Sequence, residues 1–378
     1  MRRLSLFALC CAFALFSAAG ARAQSTTAST APSGAKPRTA AGLTAATRQK
    51  LIESLARGGA YLRQNQHPDG TWENHPGITA MAATALLRQT GTTRAQQLAI
   101  VGKTLDALAK LAKPDGGVYE KDIPHYITAV SVMAFVDGGR PQDKPLVEKG
   151  RRYLVEHLLD EGEGVPPGDK FYGGMGYGGT SDGGRADIIS LEYGLRAMKE
   201  ADLPANDAAW DKAIKFLQRT QGNSETNDQE WAKTRNDGGF IYYPGYSQAE
   251  GLASYGAATY AGILSYSWAN VKKTDDRVQA VQKWIRDNYS VDENPGLGQK
   301  TVYYYYMVFA KALQAMGDPV IVDAKGRRHN WREELGRKLL SLQHTEGYWV
   351  NTDKAEMQDN KVLVTTFTMM AIEAALQN

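Results

Sequence analysis

A chain of 378 residues, 43% hydrophobic and 22% charged, has room for one large domain or two ordinary ones. Its formal charge of +3 is carried by Arg2, Arg3 and Arg22 at the extreme N-terminus. The rest is neutral and holds no basic block, which argues against nucleic acid or an anionic membrane surface as the main partner. Both cysteines, Cys10 and Cys11, lie in that same first stretch, so the remainder offers no disulfide, thiolate nucleophile or Cys-ligated zinc.

The chain opens with two arginines, an apolar run from Leu4 to Phe16 and small residues ending in Ala21-Arg22-Ala23. That pattern predicts a secretory signal peptide over residues 1–23, cleaved before Gln24, and a periplasmic or secreted protein. The apolar run is short for a span, so no stable membrane span is expected after its removal. Residues 24–43, rich in Ser, Thr, Ala and Pro, read as a disordered linker, leaving 44–378 as one domain.

From Leu51 onward the chain alternates two kinds of helix. Amphipathic helices are predicted at Leu51–Gln66, Ala95–Leu111, Pro145–Leu159, Asp207–Thr220, Arg277–Asn288 and Trp331–Leu342. Each is followed by a turn of glycine and aromatic residues, and then by a more apolar helix. The latter are expected at Ile78–Leu87, Tyr126–Val136, Ile188–Met198, about Glu250 to Trp268, Val302–Met316 and Val362–Leu376. A helix apolar nearly all round is a buried helix. The turn glycines Gly70, Gly117, Gly174, Gly239, Gly298 and Gly347 recur at roughly 50 to 65 residues, a repeat spacing. Units that cannot bury an apolar face alone must stack. The pattern admits an open α-solenoid or a ring of six inner helices within six outer ones, and the very apolar second helices favour the ring. No alternating run is long enough for a β-sheet core.

The turns at Gln66-His-Pro-Asp-Gly-Thr-Trp72 and Gln343-His-Thr-Glu-Gly-Tyr-Trp349 resemble the QW-type repeats of squalene–hopene cyclases and protein prenyltransferase β subunits. The resemblance extends from about Thr47 to the C-terminus. It implies an all-α, α/α toroid of six helical hairpins, with a central cavity for a prenyl or terpenoid chain. The chain departs from both families at their chemistry. Where class II cyclases have Asp-x-Asp-Asp, this sequence offers Asp187-Ile188-Ile189-Ser190. The prenyltransferase zinc set has no counterpart, since the mature chain lacks Cys and Met307 stands where a His would be suggestive. No metal and no cofactor is expected.

Asp182 and Asp187 bracket the loop before the third inner helix. At a cavity mouth, desolvation would raise such a carboxyl and make it a general acid; alternatively, Asp187 is a helix N-cap. His125, beside Pro124 and near Asp122, is a candidate base or proton relay, or else a structural helix-end histidine. Glu250, at the start of the fourth inner helix, carries the same two readings. For ligand contact the candidates are Tyr303, Tyr305 and Tyr306 of the four-tyrosine turn, with Tyr242, Trp72 and Glu250. Two motif matches in the Gly174–Gly183 loop, G-x-G-x-x-G and G-x-S-x-G, lack the preceding strand that would give them meaning. With the predicted signal peptide, the resemblance implies an exported, terpenoid-cyclase-like protein that holds a hydrophobic small molecule or lipid. A non-catalytic binding or interaction scaffold and a glycan-active toroid are the alternatives.

Overall fold

The computed structural model describes residues 42–179 and 184–377. The expected leader, nearly all of the linker, and Asp182 lie outside the described residues. Twelve α-helices account for almost all the regular structure there, with one small antiparallel hairpin pairing Ile321–Val322 with Arg328–His329.

The helices alternate in position as they do in character. The even-numbered helices form the inner set: α2 (Pro76–Leu87), α4 (Pro124–Gly138), α6 (Ile188–Glu200), α8 (Gly256–Trp268), α10 (Val302–Met316) and α12 (Lys361–Leu376). Each packs on the next, and α12 packs back on α2, so the ring is closed. The odd-numbered helices, α1 (Ala45–Gln64), α3 (Arg94–Ala109), α5 (Lys144–Glu156), α7 (Ala208–Thr220), α9 (Asp276–Asp287) and α11 (Trp331–Leu342), form the outer layer. Most of them bridge two inner helices, as α3 does between α2 and α4 and α5 between α4 and α6. Position explains composition. Every residue of α12 from Val362 to Leu376 is buried, whereas α5 buries only Gly150, Tyr153 and Leu154.

The Gln…Trp turns hold this layering together. Gln66 donates to the carbonyls of Gly70 and Ile100 and to Thr104 Oγ1, joining its own turn to α3. Gln343 does the same to Gly347 and to Ser54 of α1, which links the last hairpin to the first. Gly70 and Gly347 have φ near +92° and +95°, and a Cβ on either would stand 2.8 Å from Thr104 N or 2.6 Å from Arg57 O. Glycine is required there because the turn lies flat on the next outer helix. Trp72 and Trp349 are fully buried under their turns, each indole N–H donating at 2.8 Å to a carbonyl of the preceding outer helix, Leu62 or Leu339. Trp72 is therefore a structural wedge, and the expectation of ligand contact is corrected.

One helix boundary also differs from expectation. The fourth inner helix begins at Gly256 rather than near Glu250, because residues 247–253 close a turn of their own through Ser247 Oγ and the Ala253 carbonyl, 2.6 Å apart. The helix starts where Asn294 Oδ1 accepts the Ala257 N–H at 2.9 Å, a cap supplied by another loop.

Candidate functional site

Inner-helix N-termini converge at one end of the ring, and for four of the six a loop that leads to the next inner helix reaches back to cap it. The Tyr177 carbonyl takes the N–H of His125 in α4, and the Tyr242 carbonyl that of Ile188 in α6. The Pro295 carbonyl takes Gly256 in α8, and Gln358 Oε1 takes Tyr303 in α10. This overlap carries Tyr177, Tyr242 and Gln358 over the end of the ring. Together with the first turns of the inner helices they enclose a cavity of about 260 Å³.

The cavity wall is aromatic and aliphatic. Tyr126 of α4 meets Tyr193 of α6 edge-on, with centroids 5.1 Å apart; Tyr193 lies 6.2 Å from Tyr304 of α10, which meets Phe367 of α12 at 5.8 Å. Ile78, Ile189 and Leu363 fill the gaps between these rings. The hydroxyls of Tyr255 and Tyr304 are buried with no hydrogen-bond partner among the described residues, and that of Tyr193 meets only Tyr126. Burial pushes all of these phenols up, and for Tyr177, Tyr242 and Tyr255 the negative charge of Asp187 adds to the effect. They are neutral donors across the working pH range.

Backbone strain concentrates here. Eight non-glycine residues among those described have positive φ, and four of them line this cavity: Ile123 (44°), Thr301 (53°), Glu356 (52°) and Met357 (57°). Glu73 and Asn74, also left-handed, lead directly into the lining residue His75. Such conformations cost on the order of 1–3 kcal/mol each and gather at ligand clamps and active sites. Ile123 is β-branched, the residue type least suited to this region.

The polar groups at the mouth are few. His75 caps α2, its Nδ1 accepting the N–H groups of Gly77 and Ile78 at 3.1 and 3.3 Å. Nε2 therefore carries the proton, and burial lowers the ring's affinity for a second one. Among the described lining residues the only carboxyl is that of Glu356, exposed at the rim.

The site residues expected from sequence fall out differently. Asp187 is an N-cap: Oδ1 accepts Ile189 N and Ser190 N at 2.9 Å, and Oδ2 accepts Ser190 Oγ at 2.7 Å. It sits 3% exposed behind the tyrosines and does not line the cavity, so its acceptor sites serve the helix rather than a substrate. His125 is also outside. Its ring packs against Tyr153 and His157 on α5 and its flank, and Nδ1 meets the Gly176 carbonyl at 3.2 Å. The reason is register. Proline holds the first helical position in both α2 and α4, so the residue before it caps the helix at the cavity while the residue after it turns outward. His75 precedes its proline and His125 follows one. Glu250 is exposed, in the turn before α8. Of the four tyrosines, the one facing the axis is Tyr304. Tyr305 and Tyr306 donate outward to the carbonyls of Ser290 and Val291, and Tyr303 packs edge-on against Tyr306. Tyr242 alone of the expected ligand contacts lines the cavity.

At the opposite end, where the inner helices finish, the axis is charged. Arg88 bridges Asp137 at 2.7 Å and Glu200 at 3.0 Å, and Arg196 Nε reaches Glu200 at 2.9 Å. Glu192, Arg196, Lys311 and Glu373 are all more than nine-tenths buried. A second cavity of about 270 Å³ opens among Arg88, Arg196, Glu200, Trp268 and Lys311. A signal for this cluster is present in the sequence: single charges set inside otherwise apolar helices.

No family model and no curated protein sequence matches the chain. Solved structures do. A variant of the type II terpene cyclase MstE from Scytonema, in complex with geranylgeranyl dihydroxybenzoate, aligns with a TM-score of 0.54 over 88% of this chain and 99% of that one, at 12% identity. A polysaccharide lyase aligns at 0.55 over 87% and 97%, with 11% identity. A glycosidase aligns at 0.51 over 89% and 100%, with 13% identity. Identities this low establish architecture alone. The chain has the α/α-toroid fold, which it shares with a terpene cyclase, a polysaccharide lyase and a glycosidase.

Proposed function

We propose that this chain is an exported protein whose aromatic cavity receives a hydrophobic ligand of the prenyl or terpenoid class. The observation that carries the reading is the wall of Tyr126, Tyr193, Tyr304 and Phe367 at the converging helix ends, framed by left-handed residues. Aromatic faces and aliphatic side chains favour an apolar chain, and the buried tyrosine hydroxyls supply a few directional donors. The mouth is poorly suited to a diphosphate, because N–H groups of α4, α6, α8 and α10 that would bind one are already taken by neighbouring loops. The ligand is therefore a neutral or weakly polar isoprenoid. A volume of about 260 Å³ is near the lower limit of the ~300–1,000 Å³ usual for small-molecule sites. It suits a short prenyl unit, or one end of a longer chain passing out beside the exposed Met357. Proton-initiated cyclisation by Asp187 is not part of the proposal, since its carboxylate is committed to capping.

A glycan-active toroid is the second reading. It rests on Tyr243 and Tyr246, stacked 4.8 Å apart with Tyr246 46% exposed, a platform of the kind that sugar rings occupy. One experiment separates the two. Native mass spectrometry of the mature protein from an exporting host is followed by titration with farnesol and, separately, with a neutral hexasaccharide. Farnesol binding at one per chain, lost in Tyr304→Trp, is expected. Hexasaccharide binding without farnesol binding would replace the proposal with the glycan reading.

A further inference from the structure

We propose that the cavity at the C-terminal end of the inner ring is a second ligand site, one that takes the carboxylate of a small organic acid. Two side chains around it carry donors with no oxygen acceptor among the described residues. Arg196 is 1% exposed, and while its Nε is bound to Glu200, both terminal nitrogens, Nη1 and Nη2, have no partner among the described residues. The buried indole Nε1 of Trp268 is directed at the Glu192 carboxyl. Lys311 Nζ makes only a 3.9 Å contact with the thioether of Met370. Arg196, Trp268 and Lys311 come from α6, α8 and α10 and line the same cavity of about 270 Å³.

A buried donor without an acceptor is costly, the more so when charged, so several at one place call for a missing acceptor. The negative ends of six helices explain why cations gather here. They do not explain why a guanidinium leaves both terminal nitrogens unused. That fork matches the two oxygens of a carboxylate. The resident acids do not fill the role. Glu200 is held by Arg88 and Arg196 Nε, and Glu373 accepts Thr90 N and Oγ1 at 2.6 and 2.7 Å. Glu192 lies outside the cavity lining, and burial favours its neutral form. Met370, Ala315 and Ala374 form the apolar part of the wall beside Gln314 and Gln377, so the ligand carries a small, partly apolar body behind its carboxylate.

The test is calorimetric titration of the mature protein with benzoate, benzamide and inorganic phosphate. Benzoate is expected to bind at one per chain, benzamide at least tenfold more weakly. Arg196→Gln and Lys311→Met are each expected to weaken benzoate at least tenfold, and Tyr304→Trp at the other end to leave it unchanged. Should Arg196→Gln fail to fold, Lys311→Met decides, because it replaces a buried amine with an apolar chain of similar length. The proposal is overturned by absence of saturable benzoate binding, by equal binding of benzamide, by binding of phosphate but not benzoate, or by unchanged benzoate affinity in Lys311→Met.

Discussion

Along α6 a single stripe of side chains faces the ring axis. Its first half, Ile189 and Tyr193, lines the aromatic cavity, and its second, Arg196 and Glu200, lines the charged one. The stripe on α10 repeats the change, from Tyr304 to Lys311, and that on α12 runs from Leu363 and Phe367 to Glu373. Two ends made from the same helices thus differ in what they hold. At the N-terminal end the partial positive charge of the helices is absorbed by backbone and amide acceptors from the overlapping loops, which leaves the cavity free to be apolar. At the C-terminal end Arg88, Arg196 and Lys311 lie at the axis. How the helix ends are capped decides which end can bind an oily ligand.

The largest expected effect of breaking this contrast is at the charged end. Arg88→Met leaves Asp137 and Glu200 without their shared cation and should cost about 3–5 kcal/mol in urea unfolding. A loss below about 1 kcal/mol would mean that the network does not hold that end together. Lys311→Met should act in the opposite direction and stabilise the fold, because it replaces a buried amine that must shed its proton with an apolar chain of similar length. Burial, then the charges of Arg196 and Arg88, lower the affinity of Lys311 for its proton despite Glu192 and Glu200. The unfolded chain therefore holds a proton that the folded chain gives up. Wild-type stability should fall as pH drops below the usual lysine value of 10.5, and the variant should lose that slope.

At the aromatic end the effects are smaller. Tyr305→Phe removes a 2.7 Å hydrogen bond to Ser290 and should cost about 1 kcal/mol, whereas Tyr304→Phe removes a hydroxyl with no partner and should be neutral or slightly stabilising. Equal losses in thermal unfolding would place both hydroxyls in the same environment and contradict the assignment of Tyr304 to the cavity. His75→Asn, which keeps a capping side chain, should have the least effect at neutral pH. Because burial depresses His75, the unfolded state binds its proton first. The wild type should lose stability as pH falls from 6.5 toward the lower folded value, by no more than about a few tenths of a kcal/mol for a half-buried ring. In the Asn variant that acid slope should disappear.

The architecture was legible in the sequence because it rests on period and composition. The boundaries Val302–Met316 and Trp331–Leu342 coincide with α10 and α11, and the closure favoured by the apolar second helices is the one found. The site was less legible, because a residue's facing depends on helix register and on loops that meet only in the folded chain. Four adjacent tyrosines give no indication that the second of them faces the axis. His75-Pro76 and Pro124-His125 read alike as strings, yet the order of the two residues sends one imidazole into the cavity and the other out of it. Asp187 showed its capping role in its position before Ile188, and that role is what the structure displays. The buried charges were visible as Glu192, Arg196, Lys311 and Glu373 within apolar helices, a pattern that polar-face reasoning passes over.

The most direct measurement is a crystal structure of the mature protein soaked with farnesol. The account predicts an isoprenoid chain between Tyr126, Tyr193, Tyr304 and Phe367, with its hydroxyl end toward His75 or Glu356. Farnesol seated instead on the Tyr243–Tyr246 face, or an aromatic cavity still empty at saturating ligand, would contradict it.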